Sequence, residues 1–174
     1  MKYQDCAEAA ADDDGSEAPV CEALRLAAAN INPATGLATD YLNHFNEAIM
    51  LLEMLPSGDD FRTDFLRWQP VSYRDHFAGS RSGTADTALA AYEHADPQAR
   101  ACLLALTDTM TALLQAAHAG LAADPPPPAA EALAWKTAAA LKPLIARAGA
   151  VINGEVNGRG GETPQAAVDE LMKA

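Results

Sequence analysis

Two stretches of this chain carry apolar residues three and four positions apart, each opened by a capping residue and proline. The first, residues 33–55, follows Asn32 and stops at Pro56, and the second, residues 97–122, follows Asp96. This spacing aligns apolar side chains on one face of an α-helix. Nowhere do β-branched and polar residues alternate as in a strand. The sequence therefore predicts an all-α fold, an antiparallel helical bundle with these two long helices.

Aromatic residues crowd into residues 41–94, between and beside the long helices, where eight of the ten in the chain lie. Large rings remove much apolar surface from water, so this segment is expected to form the densest part of the core. Ser72 followed three residues later by Asp75 is typical of a helix start. We expect short aromatic connecting helices at residues 59–68, 72–77 and 84–94.

The rest of the chain divides into a tail, a spacer and an extension. Residues 1–17 are expected to form an acidic flexible tail, and residues 18–123 the core of the bundle. The prolines within residues 124–128 predict a stiff extended spacer, because proline lacks an amide proton. Residues 129–174 are then a C-terminal helical extension that packs on the core or on a second subunit.

Charge argues against two classes of partner. The formal net charge is −12, and residues 1–60 account for −10 of it, with twelve acidic and two basic side chains. Such a surface repels nucleic acid and anionic membranes.

No apolar run has the length of a membrane span, no signal peptide is evident, and the three cysteines are an odd number. A cytoplasmic protein with reduced thiols is expected.

A polar face of the first long helix offers candidate metal ligands. Asp40, His44 and Glu47 lie four and three residues apart, and His76 could join them from another helix. Helical bundles use such groups for transition-metal ions. A di-iron site requires Glu-x-x-His on two helices, whereas this chain has His-x-x-Glu once. A solvated polar face is the favoured interpretation, with a transition-metal ion as the alternative and otherwise no cofactor.

The segment 68–77 combines aromatic and polar residues in a connection between helices, where binding groups often lie. Arg74 could hold a carboxylate and Tyr73 or His76 could donate to it, which predicts a small-molecule pocket. Capping and packing explain the same residues without a ligand and are favoured. The candidate ligand-binding residues are Tyr41, His44, Glu47, Trp68, Tyr73, Arg74 and His76.

No nucleophile motif or phosphate-binding loop is present, so no catalytic residue is predicted and an enzyme is the less favoured class.

Met50, Leu51 and Met54 widen the apolar surface of residues 33–55 beyond one buried stripe, which indicates a third packed helix or a subunit interface. We expect a non-enzymatic interaction or regulatory protein that associates with itself or with a protein partner. The alternative is a bundle that binds a metal ion or small carboxylate around His44 and His76, with redox or hydrolytic activity.

Overall fold

The computed structural model describes residues 17–80 and 83–155. Within them the chain forms seven α-helices and no extended strand, apart from one isolated antiparallel bridge between Ile31 and Ala38. The all-α prediction is confirmed. The helices are α1 (Glu17–Ala28), α2 (Leu42–Met54), α3 (Asp59–Arg67), α4 (Tyr73–Ala78), α5 (Ala85–Glu93), α6 (Pro97–Ala122) and α7 (Pro127–Ile152).

Helices α6 and α7, of 26 residues each, form an antiparallel hairpin. Leu133 of α7 packs over Gly120 of α6 close to the turn. At the far end of the hairpin, Arg147 of α7 lies close enough to Cys102 of α6 for its positive charge to influence the thiol. Helix α2 runs antiparallel along the other side of α7, and Glu53 pairs with Lys142 across this contact at 2.5 Å. The central position of α7 explains why its apolar side chains belong to the main core.

The helix starts predicted at Asp96 and Ser72 are confirmed, and in both places the chain continues as a regular helix. The Asp96 side chain accepts a hydrogen bond from the Ala99 amide at 2.7 Å, and α6 has the predicted bounds. Ser72 accepts from the Asp75 amide at 3.1 Å and opens α4. Both caps satisfy backbone donors that have no partner within the helix.

The helix predicted from residue 33 begins later. Asn32 Oδ1 accepts from the amides of Ala34 and Thr35 at 2.8 and 3.3 Å, which closes a turn instead of opening a helix. Gly36 has a φ of 70°, in the left-handed region that ends helical geometry. The chain reverses, forms a 3-10 turn at Thr39–Tyr41, and only then enters α2. The two long helices are therefore α6 and α7.

The proline stretch is less extended than predicted. Pro126 occupies the N-cap position of α7, and Pro127 and Pro128 form its first turn. Proline suits this position because the first amides of a helix have no intrahelical acceptor. Helix α7 also continues through Pro143. The predicted acidic tail, except for Glu17, and the extension beyond residue 155 lie outside the described residues.

Candidate functional site

Five rings from four elements meet on one side of the bundle, and we call them the aromatic site. The 3-10 turn and the first turn of α2 supply Tyr41 and His44, Trp68 follows the end of α3, and α4 supplies Tyr73 and His76. Trp68 has extended backbone angles, which end α3 and redirect the chain toward α4. The short connections therefore place residues distant in sequence against the start of α2.

His44 packs against Trp68. Its ring stacks on Trp68, with 4.5 Å between the centroids and 20° between the planes. Trp68 Nε1 donates to the His44 carbonyl at 3.2 Å, which fixes the indole against the helix. The Gln69 backbone lies close enough to the His44 ring to oppose the lowering of its pKa. Nε2 of His44 is buried without a hydrogen-bond partner.

His76 is the second imidazole of the aromatic site. Its ring centroid is 6.4 Å from that of His44, and it meets Tyr41 edge to face at 5.6 Å. Burial lowers the pKa of His44, and the neighbouring His76 lowers it further. Burial also lowers the pKa of His76, against the opposing influence of Asp40. Both imidazoles are therefore neutral at pH 7, the form that can ligate a metal.

The tyrosines of the site are structural hydrogen-bonding groups. The Tyr41 hydroxyl donates to the Val71 carbonyl at 3.0 Å, and the Tyr73 hydroxyl accepts from the Ala38 amide at 2.9 Å. Burial raises the pKa of each hydroxyl to about 12. Neither phenol is therefore available as a base near neutral pH.

Three predicted site residues lie away from the centre of this cluster. Arg74 forms an ion pair with Glu93 at 2.5 Å, so its guanidinium is engaged on the α5 side. Glu47 is exposed, and Asp40 accepts a 3.5 Å hydrogen bond from Asn30. Among residues 17–80 and 83–155, no three or more His, Cys, Asp or Glu side chains are grouped closely enough to hold a metal ion.

The structure adds Tyr92 to the surroundings of the site. Its ring stacks on Tyr73 with 4.3 Å between the centroids and 17° between the planes, and the guanidinium groups of Arg74 and Arg100 lie over it at 5.6 and 5.7 Å. Cations over an aromatic face are attracted by its quadrupole. Helical spacing marks Tyr92 as a core anchor of α5, but no sequence signal pairs it with Tyr73.

A second feature is an exposed apolar surface beside the contact of α2 with α7. Met50 and Met54 are 52% and 39% exposed on α2, and Trp135 is 57% exposed on α7. Ala139 and Pro143 are exposed at helical spacing from Trp135. We call these five residues the α2/α7 face. The Glu53–Lys142 ion pair joins the two helices next to it.

A scan against protein-family models, a search of curated proteins and a search of solved structures each find no match to this chain.

None of the helices in the described residues has both the length and the apolar character required to cross a membrane.

Proposed function

We propose that this chain is a non-enzymatic cytoplasmic interaction protein that associates with a second copy of itself through the α2/α7 face. The observation that carries the proposal is the exposure of Trp135 on α7, the helix that packs against α2 with its exposed Met50 and Met54. Tryptophan is the residue most enriched at the energetic centres of interfaces, and methionine adapts to varied partner surfaces. A lone exposed leucine is ordinary, whereas large apolar side chains gathered on one face need a partner.

The energy available from Trp135 is substantial. A fully accessible tryptophan has about 250 Å² of surface, so the 57% exposed fraction leaves about 140 Å² to cover. At about 25 cal/mol per Å², covering it contributes about 3.5 kcal/mol for each copy. In a two-fold symmetric dimer the contribution occurs twice, because each copy presents the same surface.

The surroundings of Trp135 permit close approach. Ala139 and Pro143 are small and apolar, so a partner helix can lie close to the α7 backbone. The charges of Glu53 and Lys142, next to the face, already compensate each other within one chain. Burying this part of the surface therefore leaves no unpaired charge from that pair, which would otherwise oppose association.

Sedimentation velocity across micromolar to millimolar concentration tests the proposal. The wild-type chain has a mass of 18.2 kDa, and we expect the measured mass to rise toward twice that value. Trp135→Glu introduces a charge into the face and should remain monomeric over the whole range.

Leu104→Glu is the matched control. Leu104 is also a large exposed apolar residue, at 45%, but it lies on the side of α6 away from α7. This variant should associate like the wild type. A wild-type chain that stays monomeric, or two variants with equal effects, would refute the assignment of this face.

A further inference from the structure

We propose that His44 and His76 bind one Cu⁺ ion between their rings, in two-coordinate geometry, within the aromatic site. This site is separate from the α2/α7 face, and the proposal does not depend on self-association. It rests on one unpartnered nitrogen, on the spacing of the two rings, and on the apolar surroundings of both.

The unpartnered nitrogen is Nε2 of His44. It is buried and receives no hydrogen bond from the protein. Leaving a buried polar atom without a partner costs about 1–3 kcal/mol, and a bound ion is one of the few ways to recover this free energy. Because burial lowers the pKa of His44, its imidazole is neutral at pH 7 and carries one lone pair that can ligate a metal.

The ring spacing leaves room for one ion between the two imidazoles. The His44 and His76 centroids are 6.4 Å apart, and the ring planes are inclined by 55°. At a metal-to-nitrogen distance of about 2 Å, two imidazoles opposed across one ion lie about 6 Å apart, centre to centre.

The surroundings favour a monovalent ion. Tyr41 and Phe77 meet the His76 ring edge to face, and Trp68 covers His44, so the rings contact mainly aromatic side chains, while the carboxylates of Asp40 and Glu47 act on them from outside the cluster. A divalent ion with two neutral ligands would be costly to desolvate here. Within the described residues no third metal-binding side chain is close enough to complete a larger coordination shell. Cu⁺ readily accepts two nitrogen ligands in line, whereas Zn²⁺ usually takes four.

Nuclear magnetic resonance of the histidine ring nitrogens tests the proposal directly. The reduced, full-length protein is titrated with Cu⁺ under anaerobic conditions, with bicinchoninate as a competing chelator. Because Cu⁺ is diamagnetic, the ring signals remain visible. We expect the ring nitrogen signals of His44 and His76 to shift together and saturate at one ion, while His94 and His118 stay unchanged.

Phenylalanine variants separate ligation from packing. His44→Phe and His76→Phe keep an aromatic ring in each position but remove the nitrogens, so each should abolish the shift of the other ring. His94→Phe, at an exposed position, should leave the shift intact. In a Trp135→Phe background the fluorescence reports Trp68 alone, and Cu⁺ should quench it only while both histidines are present.

Three outcomes would overturn the proposal. The ion could bind only at cysteine thiols, with His44 and His76 unchanged. Either phenylalanine variant could retain the shift of the remaining ring. Zn²⁺ could displace Cu⁺ from the two rings in direct competition, which would exclude the two-coordinate assignment.

Discussion

Thr35→Val is predicted to destabilise the protein although it replaces a hydroxyl by a methyl of similar size. Thr35 is 1% exposed, and its hydroxyl donates to the Ile152 carbonyl at 2.6 Å while accepting from the Leu37 amide at 3.4 Å. Its own carbonyl accepts from the Asp96 amide at 2.9 Å. One residue thus ties the turn before α2 to the end of α7 and to the start of α6.

The expected cost follows from these two side-chain bonds. The short bond to Ile152 contributes about 1 kcal/mol net, and the Leu37 amide and Ile152 carbonyl lose a partner in a dry site at a cost of about 1–3 kcal/mol. Valine has nearly the same volume, so no cavity contributes. We expect the free energy of unfolding to fall by about 2–4 kcal/mol.

Urea denaturation followed by circular dichroism measures this loss, with Thr35→Ser as the control. Serine keeps the hydroxyl and removes one methyl group, which costs about 0.8 kcal/mol. The valine variant should therefore unfold at lower urea than the serine variant. The opposite order would show that the hydroxyl bonds do not hold the turn.

Gly36→Ala should destabilise by at least about 1–2 kcal/mol, because the φ of 70° is unfavourable for alanine and the new Cβ would lie 2.9 Å from the Ala95 Cα; an unchanged melting temperature would contradict this. Asp96→Ala should cost about 1 kcal/mol by thermal unfolding and Asp96→Asn less, since only alanine removes the cap. Burial raises the pKa of Tyr41 and Tyr73 to about 12, so their stabilising effect holds below the unfolded value of 10.0 and is lost as pH rises from there toward 12. Tyr41→Phe should flatten this loss in urea titrations at several pH values, and an unaltered slope would exclude the tyrosine as its source.

Helices with strictly local signals were predictable from the sequence. Asp96 and Ser72 each bond an amide three residues ahead, so the information needed to start α6 and α4 lies within one turn of chain. The stop of α3 likewise coincides with the segment before Pro70. Such contacts do not depend on the rest of the fold, which is why sequence reasoning locates them.

The turn before α2 shows where local reasoning fails. Asn32 and Pro33 look like Asp96 and Pro97, but here the Asn32 side chain closes a turn at Gly36, and a hydrogen bond from Thr35 to Ile152, 117 residues away, ties that turn to the end of α7. No local pattern reveals such a partner. The prolines before α7 fail for a different reason, since two of them enter the helix at positions where a missing amide has no cost.

The aromatic site was predictable in composition and not in geometry. Crowding of rings in residues 41–94 indicates that they pack together, but stacking of His44 on Trp68 depends on how α3 ends beside α2. The pairing of Arg74 with Glu93 depends on α5, which the chain reaches through a further loop. The tertiary structure decides which exposed charged side chains form ion pairs. The sequence therefore indicated which residues cluster but not which of them are in contact.

Helix α2 contributes to both proposals from different faces, and this makes them separable. His44 and Met50 are six residues apart, which at about 100° per residue places them about 120° apart around the helix. The His44 ring faces Trp68, the residue that follows α3, whereas Met50 is exposed beside α7. Substituting Trp135 should therefore leave the histidine ring signals unchanged, and substituting His44 should leave the association constant unchanged. A variant that altered both would indicate that α2 itself had moved, because no side chain of α2 belongs to both surfaces.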